Sequence, residues 1–186
     1  QDISKDVLAA EELAEKEDYL NQIISNAPDA VIVMNQASII TLWNPKTEEI
    51  FGWKAEEVLG QNLTDTIIPH HYREDHKAGM KRFIETGEAK ILNHTLELTA
   101  LHKEGKEFPI SITISQAMQQ GTLIFIAFLR DITSEKQNKE ELIVKTRQLE
   151  EINQTLELKN KELEYINDEL ASFIYVSSND LKEPFQ

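Results

Sequence analysis

Histidine is the side chain best suited to proton or metal chemistry near neutral pH, and three of the five in this chain lie close together in His70-His71-Tyr72-Arg73-Glu74-Asp75-His76. The spacing does not match the H-E-x-x-H zinc pattern, and adjacent residues such as His70 and His71 cannot share a helix face. A surface turn at the start of a helix is the expected role, and no metal site is predicted. Ser177 and Ser178 have no histidine near them in sequence, so no nucleophile–base pair is apparent. None of the six glycines forms a phosphate-binding G-x-x-x-x-G-K or G-x-G-x-x-G loop. With no cysteine, disulfides, thiolate zinc sites and cysteinyl cofactor adducts are excluded outright. No catalytic residue is expected, and the chain is read as non-enzymatic by itself.

The elements that must position any site follow from periodicity. Residues 1 to about 27 read as a helix with a weak seam, in which Ile3, Ala10 and Ile24 share one heptad position and Leu13 and Leu20 its companion. Pro28 ends it, because the residue before a proline avoids helical geometry. Ala30–Met34 and Ile39–Trp43 are β-rich runs about the polar turn Asn35-Gln36-Ala37-Ser38 and read as a hairpin. Short helical pieces follow, then a longer helix from about His71 to Glu85. Leu92, His94, Leu96, Leu98 and Ala100 alternate with polar residues, as do Phe108, Ile110, Ile112 and Ile114. Gly121 opens a last strand, from Thr122 to about Asp131. The pattern predicts an α+β domain of about 105 residues, a usual size for one core.

After Thr133, read as a helix N-cap, glycine and proline are absent as far as Glu183. Leu142, Leu149, Leu156, Leu163 and Leu170 recur every seventh residue. Three positions on from each stand Lys145, Ile152, Lys159, Ile166 and Phe173. This a/d seam predicts a helix of up to ~75 Å that must find a second helix, and a parallel homodimeric coiled coil is the expectation. Lys145 and Lys159 each deny such a dimer an apolar burial of about 1.5–3 kcal/mol. Their stems can cover the seam while the ammonium groups reach water, or they keep the coil marginal enough to shift rotation or register.

Two resemblances become specific here. Asn26-Ala27-Pro28-Asp29-Ala30-Val31, Trp43-Asn44, Ile50-Phe51-Gly52-Trp53, Glu56-Glu57-Val58-Leu59-Gly60, Lys103-Glu104-Gly105, Phe108-Pro109 and Arg130-Asp131-Ile132-Thr133 resemble, in order and spacing, PAS sensor domains. The resemblance implies a five-stranded antiparallel sheet in the order 2-1-5-4-3, with helices over one face around a small pocket. Phe173-Ile174-Tyr175-Val176-Ser177-Ser178-Asn179-Asp180-Leu181-Lys182-Glu183-Pro184 resembles the phosphoacceptor segment of sensor histidine kinases. There a histidine stands where this chain has Asn179, Asp180 matches the acid that helps activate it, and Pro184 matches the proline that bends the helix. An amide is no useful nucleophile at neutral pH. Asn179 therefore implies an engineered dead variant, a homologue without phosphotransfer, or signalling by conformation.

The resemblance also sharpens single residues. His76 lies where haem-binding PAS sensors of the oxygen-responsive kinase type carry their iron ligand, although Leu96 stands where they carry a distal arginine. No cofactor is the first expectation and haem the alternative. Alternation turns His94 toward the pocket beside Leu96, Ile112 and Ile114, as a satisfied histidine or as a polar handle. A small apolar ligand would suit that lining, and so would a pocket filled by its own side chains. Asp131 and Thr133 are the expected joint between sensor and helix.

Charge bounds the partners. With 33 acidic and 19 basic residues the net charge is −14, which disfavours nucleic acid and anionic membrane surfaces. No apolar run approaches the roughly 18 residues that span a bilayer. The chain reads as a cytoplasmic piece of a longer protein that could itself be membrane-attached. The segments expected are an N-terminal helix at 1–25, a sensor domain at 26–133, a coiled-coil linker at 134–172 and the start of a dimerisation and phosphoacceptor helix at 173–186. The function implied is the sensory, dimerising portion of a two-component kinase, with a kinase domain and a response regulator as further partners. A dimerisation scaffold that senses nothing is the alternative.

Overall fold

A computed structural model describes residues 3–87 and 92–180, with side chains in the first turns of the first helix and beyond residue 177 left aside. The chain divides into two compact units, Gln1–Ser134 and Glu135–Gln186. In the first unit, helix α1 (Ile3–Ser25) precedes β1 (Ala30–Asn35) and β2 (Ile40–Trp43). Three short helices follow, α2 (Pro45–Phe51), α3 (Ala55–Val58) and α4 (Leu63–Thr66). A 3-10 turn (His70–Tyr72) leads into α5 (Arg73–Thr86). Strands β3 (Thr95–Leu101), β4 (Glu107–Gln119) and β5 (Thr122–Asp131) complete the unit, and α6 (Thr133–Asp180) follows.

The five strands form one sheet in the order β2-β1-β5-β4-β3, antiparallel throughout, as the resemblance to PAS domains implied. Strand β1, flanked by β2 and β5, is rich in β-branched residues, which suit a pleated surface covered on its core face. One face gathers Ala30, Ile32, Met34, Ile110, Phe125 and Leu129, and the helices lay Phe51, Val58 and Phe83 on it, joined by Ile67 just after α4. Three aromatic rings run in a row, Trp43 to Phe51 at 5.8 Å and Phe51 to Phe108 at 5.5 Å between centroids. Tilted contacts of this kind add about 0.5–1.5 kcal/mol each beyond area burial.

Local chemistry sets the boundaries. Asn35 Oδ1 accepts from the backbone N–H groups of Ala37 and Ile39, which closes the β1–β2 turn. Pro45 begins α2, where a missing N–H is harmless. Gly52 ends it in the left-handed region at φ 76°.

Three expectations need correction. The alternating run assigned to the third strand begins too early: Asn93 takes φ 60°, which breaks the pleat, and β3 starts at Thr95. His94 therefore lies in the bend before the strand, exposed, and does not face the core. The α6 N-terminus is capped from Asp131, whose Oδ1 accepts from Thr133 N at 2.8 Å and Thr133 Oγ1 at 2.5 Å. Thr133 is the first helical residue and a donor, not the cap.

Candidate functional site

The most densely bonded polar side chain among the described residues is Asn44, at the end of β2 and only 2% exposed. Its Oδ1 accepts from Val31 N at 2.9 Å, Thr47 N at 3.0 Å and Thr47 Oγ1 at 2.5 Å. Its Nδ2 donates to Ile24 O at 3.1 Å and Asp29 O at 3.2 Å. One amide thus caps α2, holds the start of β1 and seizes the C-terminal turn of α1. Five bonds use both ends of the group, so its burial leaves no polar atom unmet.

The chain leaves the sheet close to where it enters. Ala30 pairs with Leu129 across β1 and β5. One residue outward on each strand, Arg130 grips Asp29 through Nε at 3.0 Å and Nη2 at 3.1 Å. This two-pronged geometry fixes orientation as well as charge. Beyond it Ile132 N donates to Pro109 O at 3.2 Å, and the Asp131 carboxylate caps α6. The expected joint residues Asp131 and Thr133 are thus in direct contact. Asn44, Asp29 and Arg130, which the sequence offered only as landmarks, complete the junction. Their signal was present in Trp43-Asn44, Pro28-Asp29 and Arg130-Asp131, but spacing alone could not show that they converge.

A second polar cluster braces the short helices. Lys103 Nζ reaches Glu57 at 2.6 and 2.7 Å and lies 4.9 Å above the Trp53 ring. The hydrogen bond from Lys103 holds the exposed Glu57 carboxyl below its ordinary range. Lys54 does the same for Glu48, and its own affinity for a proton rises in return. These brackets lie at the surface, with only Glu48 half-buried, and each is worth little to stability.

Of the residues expected around a pocket, Leu96 lies opposite Ile112 in the β3–β4 register, and Ile114 lies opposite Ala127. All three are half-buried, and Ile112 and Ile114 pack against the core. His76, half-buried on α5, has Nδ1 3.1 Å from the buried Thr64 hydroxyl. Burial pushes its affinity for a proton below the ordinary value, so the neutral imidazole is favoured. Two turns along the same helix Phe83 packs edge-on against Phe125 of β5 at 5.3 Å. His70 and His71 are exposed. Among the described residues no three histidine or carboxylate side chains converge as a metal set would.

On α6 the seam residues Leu142, Leu149, Ile152, Leu156, Leu163, Ile166, Leu170 and Phe173 are between 50% and 68% exposed. A lone helix would leave this stripe to water, which an apolar patch of such length does not favour. Asn179 and Asp180 fall in its last turn, where only the backbone is described, and Pro184 lies outside the described residues. No helix among the described residues is long and apolar enough to cross a membrane.

Comparison with known proteins agrees with this architecture. The chain is 39% identical over 111 residues to an uncharacterised protein of Azorhizobium caulinodans, covering 60% of this chain and 15% of that protein. It is 29% identical over 141 residues to sensor protein FixL of Bradyrhizobium diazoefficiens, covering 76% and 28% respectively. It is 30% identical over 118 residues to the oxygen sensor protein DosP of Escherichia coli, covering 63% and 14%. The chain thus spans less than a third of the length of each of these relatives. Among solved structures, the PAS domain of an HTR-like protein from Haloarcula marismortui superposes with a TM-score of 0.54 at 20% identity, over 67% of this chain and 98% of that one. The model of the PAS fold matches residues 18–132, more than half of the chain, and the protein therefore belongs to the PAS family.

Proposed function

We propose that this chain is the sensory and dimerising segment of a sensor histidine kinase. In this reading a stimulus alters the PAS sheet, and the junction at Asp29, Arg130, Asp131 and Thr133 passes the change to α6. Two copies of α6 then form a parallel coiled coil that carries it toward position 179. The observation that carries the reading is the heptad stripe of exposed leucine and isoleucine on a helix that begins two residues after the last strand. The sequence around Asn179 and the likeness to a protein named as a sensor support the kinase context. A kinase domain and a response regulator would be partners of the longer protein. With asparagine at 179 the segment senses, dimerises and transmits without itself accepting phosphate.

Sedimentation velocity at micromolar concentration tests this directly. A dimer that dissociates when Leu156 and Leu163 are changed to Lys is the expected result, and a monomer at those concentrations would sink it.

Haem at His76 is the less favoured reading. A neutral imidazole with one nitrogen held by Thr64 is chemically suited to iron, and a relative named as an oxygen sensor points the same way. Against it, the Phe83–Phe125 contact brings α5 directly onto the sheet where a macrocycle would have to lie. A Soret band that appears on adding haemin and vanishes in His76→Ala would reinstate it.

A further inference from the structure

A packed helix uses a strip plus one neighbouring strip, and the leucine strip of α6 has two. Three residues on from the leucines stand Lys145, Ile152, Lys159, Ile166 and Phe173. Four residues on stand Thr146, Asn153, Asn160, Asn167 and Ile174. Spacings of three and four both bring a residue alongside its partner on one helix face. The first choice makes leucine the a position of the heptad, the second makes it d.

We propose that α6 carries two alternative parallel homodimer seams that share the leucines and differ by a rotation of each helix of roughly 50°, one heptad position on the helical wheel. The inference rests on the dimeric reading above and adds a second interface to it. The partner at both seams is a second copy of this chain.

Charge separates the two. In the first seam Lys145 and Lys159 sit in the core, each facing its own copy across the dimer axis. The pairs they make within their own helix, with Glu141 at 2.5 Å and Glu162 at 2.7 Å, soften that clash. In the second seam both lysines move to the g flank, which in a parallel dimer faces the residue five positions on in the other helix. Those residues are Glu150 and Glu164. Every lysine that was opposed becomes paired, in both directions by symmetry. The core then holds Asn153, Asn160 and Asn167. Each meets its own copy, where two amides can satisfy one another only in a parallel, in-register pair.

The first seam gains Ile152, Ile166 and Phe173 as apolar layers and keeps like charges inside. The second gives up those layers and gains matched charges and amide pairs. The two seams thus trade apolar layers against matched charges and amide pairs, and terms that offset one another in this way are what a two-state element requires. The seams end on the neighbours Phe173 and Ile174, shortly before Asn179. A change of seam would turn that position by the same angle.

Because the chain has no cysteine, single-cysteine cross-linking reads the seam cleanly. In the full 186-residue chain, Ile152→Cys and Ile166→Cys report the first seam, Asn153→Cys and Asn167→Cys the second. Leu156→Cys reports both and Gln154→Cys neither. Under mild oxidation we expect cysteine at 152 and at 153 each to cross-link at least ten-fold faster than at 154. Raising salt from about 0.1 M to about 1 M should lower the 153-to-152 rate ratio several-fold, since it screens the flanking pairs. Adding Lys145→Leu and Lys159→Leu should lower it ten-fold or more. Rates at 153 and 167 no faster than at 154 would overturn the second seam, and a ratio indifferent to salt would overturn its charge basis. No cross-link at Leu156→Cys, together with a monomer in the centrifuge, would instead overturn the dimer.

Discussion

Replacing Asn44 by alanine removes five hydrogen bonds from one buried point. Loss of an N-cap costs about 0.5–2 kcal/mol. The buried N–H of Val31 is left without the acceptor it uses here, at a further ~1–3 kcal/mol. Thr47 N keeps a second partner in Asn44 O at 3.0 Å, and the carbonyls of Ile24 and Asp29 are closer to water, so their loss adds little. About 3 kcal/mol in total is expected, a large part of what holds a domain this size together. At a urea slope near 2 kcal/mol per molar, the midpoint should fall by about 1.5 M. Both tryptophans, Trp43 and Trp53, lie in the sheet unit, so their fluorescence follows that unit and not α6. Asn44→Asp keeps the acceptor but sets a second oxygen against two carbonyls, and it should lose at least as much. A midpoint shift below ~0.3 M in both variants would refute the idea that this amide ties α1, β1 and α2 together.

Three further outcomes are expected. In Gly52→Ala the new Cβ would lie 2.6 Å from the His102 ring at a left-handed φ, whereas in Gly60→Ala the same backbone geometry opens on free space. Both should lose the roughly 1–2 kcal/mol of left-handed strain, and Gly52→Ala about 1 kcal/mol more, by urea unfolding. The proton affinity of His76 is depressed in the folded state, so the unfolded chain binds the proton more readily. Its contribution is therefore intact above the ordinary pKa of 6.5 and is lost as pH falls below it; His76→Gln should flatten that part of the stability–pH curve. Asp131→Ala uncaps α6 at a cost of about 1 kcal/mol, and the Thr133 amide should exchange roughly five-fold faster by hydrogen–deuterium exchange, with Asp131→Asn restoring most of the protection.

The separate strands and the α6 stripe were legible because they rest on repetition, alternation in Phe108–Ile114 and seven-residue spacing from Leu142 to Leu170, whereas the order of the strands followed only from the resemblance to PAS domains. The start of β3 was not. Asn93 adopts a conformation open to asparagine but not demanded by it, and the bend it makes with His94 ends the alternation there, so His94 is exposed where the pattern had placed it inward. The cap of α6 was misread by two residues because Asp131 and Thr133 are both capping types, and only geometry shows which accepts. Asn44 illustrates the larger limit. Its partners lie 13, 15 and 20 positions away, and no local pattern encodes convergence over that distance.

The pairing of Ala30 with Leu129 has a consequence for how such a unit is reused. A domain whose two ends lie on adjacent strands behaves as a cassette. It can be spliced into, duplicated in or excised from a longer chain with little displacement of the flanking segments. The Asp29–Arg130 clasp travels with the cassette, so every copy would bring its own fastening to whatever stands on either side.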